Sequence, residues 1–220
     1  EGIRIMGSFA KMDVPKIITE NTELKESITQ DNSNILTQLR SRHQIFALIN
    51  RADDYEETKR LINKLDGLKK TRTPYYLNIN ELDEIFHWKL RRQYYRQIWN
   101  IKENTNDSIR TITKAAFSVS SNDERKVIEL MLKTLIRLHG VQTPVASAIM
   151  TLSYPERFCV IEYRGWRQMY GEDKKYQSYS VKEYLDYWSK ITNVAKKFGV
   201  TPQEVDMATW QYDIENYNMV

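Results

Sequence analysis

The chain has 220 residues, 33 Lys and Arg against 29 Asp and Glu, a net charge of +4, 41% hydrophobic and 28% charged residues. That is room for one domain, or two small lobes, around a sizeable core, with the composition of an ordinary soluble globular protein. With 7 Gly and 5 Pro, an all-β or loop-rich fold is disfavoured, and no apolar run approaches the roughly 18 residues of a membrane span.

The N-terminus shows no basic segment followed by an apolar one, so no secretory signal is read there. The single Cys159 excludes an internal disulfide framework and suits a reducing, cytoplasmic setting. Its Phe-Cys-Val-Ile context predicts a buried, inert thiol. The charge is uneven. Residues 201–220 hold Glu204, Asp206, Asp213 and Glu215 with no Lys or Arg, so the first 200 residues carry a net +8. Such a balance is compatible with a nucleic-acid partner and does not establish one.

In chain order, residues 1–15 read as a tail or vector-derived segment, and Ile17, Ile18, Leu24 and Ile28 as a short helix or an arm draped on the body. From Asn34, the apolar residues Ile35, Leu36, Leu39, Ile45, Phe46, Leu48 and Ile49 recur at helical spacing. Asp53 and Asp54 cap a second helix with Tyr55, Leu61, Ile62 and Leu65 on one face, stopping at Asp66-Gly67. Lys69, Lys70 and Arg72 then form a basic connector. Asn80 opens the next helix, whose first turn is acidic and favourably placed on the helix dipole.

From Ile85 to Lys102 there is no acidic residue. Lys89, Arg91, Arg92, Arg96 and Lys102 instead alternate with Phe86, Trp88, Tyr94, Tyr95 and Trp99. Cations beside aromatics can neutralise phosphates and stack on bases; the plainer alternative is that the aromatics anchor the core and the cations coat it. Asn106-Asp107 begins another helix, and Asp123-Glu124 begins the long one carrying Val127, Ile128, Met131, Leu135 and Leu138. Lys133 and Arg137 lie four residues apart on its last turns. Gly140 closes it as a left-handed cap, and Thr143-Pro144 restarts a helix with Thr as N-cap. Ser180 and Thr201-Pro202-Gln203-Glu204 start the last two helices, separated by Gly199. No period-two alternation appears, so the expected fold class is all-α.

The helix, tight turn and helix around Leu138-x-Gly140-Val141, followed by an Ala/Ser-rich helix, resemble the helix-hairpin-helix of the endonuclease III-like DNA glycosylase superfamily. Trp88-Lys89-Leu90-Arg91-Arg92 and Asp206-Met207-Ala208-Thr209-Trp210-Gln211-Tyr212 resemble two further segments of a poorly characterised branch of that superfamily. The resemblance implies a two-lobed helical domain over residues 16–220, the hairpin motif at 124–152, and DNA as partner. Its catalytic aspartate falls on Glu162, which keeps the carboxylate but adds a methylene. The lysine of its lyase-active members falls on Pro144, the hairpin's usual second glycine on Gln142, and its usual proline on His139.

On that resemblance Glu162 is the candidate catalytic residue of a monofunctional base-excision enzyme. The alternatives are an ordinary helix-start carboxylate, a partner of Arg164 or Arg167, and a non-catalytic DNA-binding relative. The candidate DNA contacts are Lys133, Arg137, His139, Gly140, Val141, Gln142, Thr143, Val145, Arg164, Arg167, Trp88, Lys89, Arg91 and Arg92. The hairpin amides of Gly140, Gln142 and Val145 are expected to face a phosphate; the alternative is a packing corner. His43, His87 and His139 show no zinc-binding spacing, so no metal is expected. The resemblance implies no cofactor, except a monovalent cation that hairpin carbonyls can hold in related proteins. A monomer is the default.

Overall fold

The computed structural model describes residues 39, 41–174 and 178–217. The tail and first short helix lie outside the described residues. Those described are helical, with no strand among them. They form α1 (Arg42–Ile49), α2 (Tyr55–Thr71), α3 (Ile79–Leu90), a 3-10 turn (Arg91–Gln93), α4 (Tyr94–Lys102), α5 (Asn106–Phe117), α6 (Glu124–Leu135), α7 (Thr143–Ser153), α8 (Tyr163–Tyr170), α9 (Val181–Phe198) and α10 (Pro202–Tyr217).

The starts follow side-chain chemistry. Asp123 accepts the Arg125 and Lys126 amides ahead of α6, and Ser180 with Glu183 forms a reciprocal cap on α9. Thr201 and Glu204 do the same on α10, Thr201 N–H donating to Glu204 at 2.7 Å and Glu204 N–H to Thr201 at 3.1 Å. The cap of α3 is Asn78, two residues before the expected Asn80, because its side chain reaches the Asn80 and Glu81 amides.

Gly67 does not stop α2. A glycine inside a helix costs about 1 kcal/mol against alanine, but Leu61, Leu65 and Leu68 pack on the core on either side of it. A Cβ at Gly67 would meet nothing within 4 Å, so the residue faces open space. The basic connector is therefore partly helix. Lys69 donates to the Ser153 carbonyl at 2.8 Å at the end of α7, and Arg72 binds Glu81 through two bonds of 2.8 and 2.9 Å.

α7 is the buried centre. All of its residues but Pro144 are buried, and the small Ala146, Ser147 and Ala148 let neighbouring helices come close. It packs on α2, α3 and α6, within the main apolar cluster that runs from Leu61 to Val205. A second cluster joins Leu39, Ile45, Leu48, Ile49 and Ala52 to Met207 and Ala208, holding α1 on α10. Cys159 is fully buried, as its apolar context predicts, and burial pushes its thiol well above the ordinary range.

Candidate functional site

The connection between α6 and α7 spans residues 136–142. Gly140 sits at φ +77°, a left-handed conformation that strains any L side chain. A Cβ there would meet Ile101 Cγ1 at 3.4 Å and Asn100 Cβ at 3.5 Å, so the turn leans directly on α4. Asn104 fixes it: its amide Nδ2 donates to the His139 carbonyl and its Oδ1 accepts the His139 N–H, both at 2.9 Å. The His139 ring lies 2.9 Å from Glu103.

The α7 cap differs from expectation by one residue. Gln142 holds the extended cap conformation, while Thr143 is already helical and buried and donates its hydroxyl to the Tyr179 carbonyl at 2.5 Å. The Val145 amide is not turned outward. It and the Ala146 amide both donate to the Gln142 carbonyl at 2.9 Å. The amides of Gly140, Gln142 and Thr143 donate to no described residue. The carbonyls of Leu138, His139 and Gln142 accept internal hydrogen bonds.

Beside this turn opens a cleft of about 690 Å³. Its walls come from distant parts of the chain: Thr58 of α2, Trp88 and Lys89 of α3, Gln97 and Asn100 of α4, the 136–142 turn, Glu162 ahead of α8, and Gln203, Asp206, Met207 and Trp210 of α10. Residues of both segments that carry the resemblance thus line it.

Glu162 is the N-cap of α8 and accepts the Gly165 N–H at 3.2 Å. It is both a helix-start carboxylate and a cleft wall. Asp206 accepts the Val160 amide and the Tyr187 hydroxyl, each at 3.1 Å. Tyr187 reaches it only because residue 165 is glycine: a Cβ there would lie 2.2 Å from the Tyr187 hydroxyl.

Burial raises both acids, Asp206 to about 7; the Glu162 charge raises Asp206 further, while the Val160 amide, the Lys89 charge and the Tyr187 hydroxyl oppose that rise. For Glu162 the opposing influences are the Lys89 charge, the Gly165 amide and Arg164. Burial lowers Lys89, with the Glu162 and Asp206 charges opposing that shift. Three titratable groups therefore share one desolvated cleft, and their environments push the acids up and the amine down.

The other predicted contacts fall in three places. Trp88 lines the cleft and donates its indole N–H to Thr58 at 3.0 Å. Arg91 also lines it, at φ +47° and bound to Asp54 at 2.6 Å. Arg164 and Arg167 are half-buried and paired with the fully buried Asp213, at 3.0 and 2.7 Å, and Arg164 also lines the cleft. Lys133 is exposed and paired with Glu129 at 2.5 Å, while Arg137 and Arg92 are exposed. Val141 is buried.

The aromatics divide. Phe86 and Tyr94 are core, whereas Tyr95 and Trp99 are 74% and 76% exposed. Arg92, Tyr95, Arg96 and Trp99 recur at the i, i+3, i+4, i+7 spacing of one helical face, with Lys102 over the Trp99 ring at 5.6 Å. The sequence places Asp206 and Trp210 only in a resembling segment. The i, i+3, i+4, i+7 spacing of Gln203, Asp206, Met207 and Trp210 was the available signal that they share a face.

Among the described residues no group of three or more His, Cys, Asp or Glu could hold a metal ion, and no helix is long and apolar enough to cross a membrane. No protein-family model, no curated protein and no solved structure matches the chain.

Proposed function

We propose that the chain is a DNA-binding protein of DNA glycosylase type, with two helical lobes and the α6–α7 connection as its helix-hairpin-helix. One observation carries this: Glu162, the Gly140 turn and both resembling segments line the same 690 Å³ cleft. A cleft of this size is large enough to take one flipped nucleotide, and flipping is needed because the glycosidic bond of a stacked base is out of reach.

The free amides of Gly140, Gln142 and Thr143, at the N-terminus of the 11-residue α7, offer donors and a partial positive charge to a backbone phosphate. Excision passes through a sugar with oxocarbenium character, which a carboxylate beside the ring stabilises while it directs a water. Like charges in one cleft resist joint ionisation. Burial raises both acids; Lys89 and the Gly165 amide oppose the rise at Glu162, and Asp206 is pushed to about 7. No step is assigned to a metal or monovalent cation.

A second assignment, a DNA-binding protein without excision activity, is favoured by the cap bond that Glu162 accepts from the Gly165 N–H. The two part on one experiment. Oxidised, alkylated and deaminated genomic DNA is incubated with the protein and with Glu162→Gln, and released bases are identified by mass spectrometry. Release by the wild type and not by the variant is the expected result. No release by either, with DNA still bound, leaves only the second assignment.

A further inference from the structure

Outside the cleft, α4 presents a surface that the chemistry of excision does not use. Asn100 lines the cleft, and Arg96 is its neighbour four residues back on the helix. Arg92 and Trp99 adjoin Arg96 in the same way, and Tyr95 and Lys102 adjoin Trp99; all of them are exposed. The face is therefore continuous with the cleft rim. Cations on other helices answer to carboxylates: Arg60 and Lys64 to Glu84, Lys70 to Asp66, Lys126 and Lys133 to Glu129. Arg92, Arg96 and Lys102 pair with no carboxylate among the described residues. Glu103, the first acid after them, is taken by His139 at 2.9 Å. Cations left unneutralised on one face attract a polyanion.

The rings say which form of polyanion. Tyr95 and Trp99 are 74% and 76% exposed, while Tyr94 and Ile101 carry the buried side of the same helix. Tyr95 stands edge-on to the buried Tyr94 at 5.7 Å, so its ring is braced from within. Rings held in water among cations are a stacking platform for bases, but stacking needs a base with a free face. In a duplex each base is covered by its neighbours, about 3.4 Å apart along a strand, and the outside offers only phosphates and base edges. Tyr95 and Trp99 lie about 6 Å apart along the helix axis, too far for two stacked bases to meet one ring each. Unpaired bases, splayed apart, have both the free faces and the spacing.

Resting on the glycosylase assignment, we infer that the α4 face binds unpaired nucleotides flanking the target, so that the substrate class is DNA with single-stranded character around the target base. Arg96 and Arg92 take the phosphates nearest the cleft rim, and Trp99 and Tyr95 stack on the bases that follow. Lys102, over the Trp99 ring at 5.6 Å, adds charge at the far end of the path. An unpaired target also lowers the cost of placing a nucleotide in the cleft, since extrusion costs least for a base already single-stranded.

The test uses the full chain and one tetrahydrofuran abasic site in two settings: a fully paired duplex, and the same sequence with the site inside an unpaired bubble. Affinities are read by fluorescence anisotropy for the wild type, Trp99→Ala and Trp99→Phe. Trp99 supports no core, so the fold is kept in both variants. The bubble is expected to bind about 5- to 100-fold more tightly than the paired duplex, the range of one base stack. Trp99→Ala should remove most of that advantage, and Trp99→Phe, which keeps a ring, should retain most of it. Equal affinity for the two DNAs, an advantage unchanged in Trp99→Ala, or its equal loss in Trp99→Phe overturns this inference; with the paired duplex still bound, the glycosylase assignment stands. Binding of neither DNA overturns both.

Discussion

At the scale of single residues, the Asp206 carboxyl is pushed up to about 7 because burial excludes water from it and because Glu162 shares its cleft, against the lowering bonds it accepts from Val160 and Tyr187. In the unfolded chain the same group ionises near 3.8. Between those values the folded state binds more protons than the unfolded one. Stability from Asp206 is thus complete below 3.8 and lost as pH rises through 7. Glu162, also raised, acts in the same direction, while the lowered Lys89 acts oppositely at higher pH. We expect the melting temperature to fall between about pH 4 and pH 7, and Asp206→Asn to flatten that fall, since Asn can still accept from Val160 and donate to Tyr187. An unchanged slope in the variant would assign the titration elsewhere. Gly165→Ala sets a Cβ 2.2 Å from the Tyr187 hydroxyl and 3.2 Å from its Cζ. Tyr187 is fully buried, so overpacking of this kind should destabilise by about 1–3 kcal/mol in a denaturant titration.

At the scale of elements, α8 is locked to α10 by charge. Asp213 is fully buried and receives Arg164, a two-pronged Arg167 and the Gln168 amide. Removing one partner of a buried ion-pair cluster strands the others, so Asp213→Ala should lower unfolding free energy by about 3–5 kcal/mol; a change below about 1 kcal/mol would show the cluster to be dispensable. Arg164 and Arg167 were candidate DNA contacts in the sequence because cations near a motif invite that assignment. Their partner lies 46–49 residues downstream, beyond the reach of local pattern. Local pattern succeeded where the physics is local: the caps at Asp123, Ser180 and Thr201 and the left-handed Gly140 and Gly199 are written in adjacent residues. It failed at Gly67, where packing on both sides outweighs propensity, and at Thr143, whose hydroxyl answers to Tyr179 instead of its own helix. On α4, Trp99 and Tyr95 are exposed side chains that support no core. Trp99→Ala should leave stability nearly unchanged while weakening DNA binding by the ~1–3 kcal/mol that stacking on a base contributes. A fully retained affinity, read by fluorescence anisotropy, would remove this face from the interface.

At the scale of the whole molecule, two of the four acidic residues at the end of the sequence turn out to be interior and a third is paired. Asp206 and Asp213 are buried, and Glu215 is held to about 2 by its hydrogen bond to Arg51. The negative count of residues 201–220 is therefore not a surface field opposing the basic remainder. The exposed Arg96 and Lys102 lie on the helix that supports the Gly140 turn, with the exposed Arg92 in the 3-10 turn just before it. This convergence of turn, carboxylates, amine and basic helix on one cleft was not legible in the sequence, since its walls span residues 54–210.

Everything proposed for the cleft requires that DNA enter it. The deciding measurement is the affinity for a duplex bearing a tetrahydrofuran abasic site as salt is raised, with Gly140→Val alongside. Tight binding at low salt is expected, with log Kd rising about 0.9 per log salt for each phosphate neutralised, about three or more in all. The variant, with a strained Cβ branch pressed on Ile101 and the turn amides displaced, should bind distinctly less tightly. Affinity independent of salt, or equal in both proteins, would contradict DNA recognition through this turn.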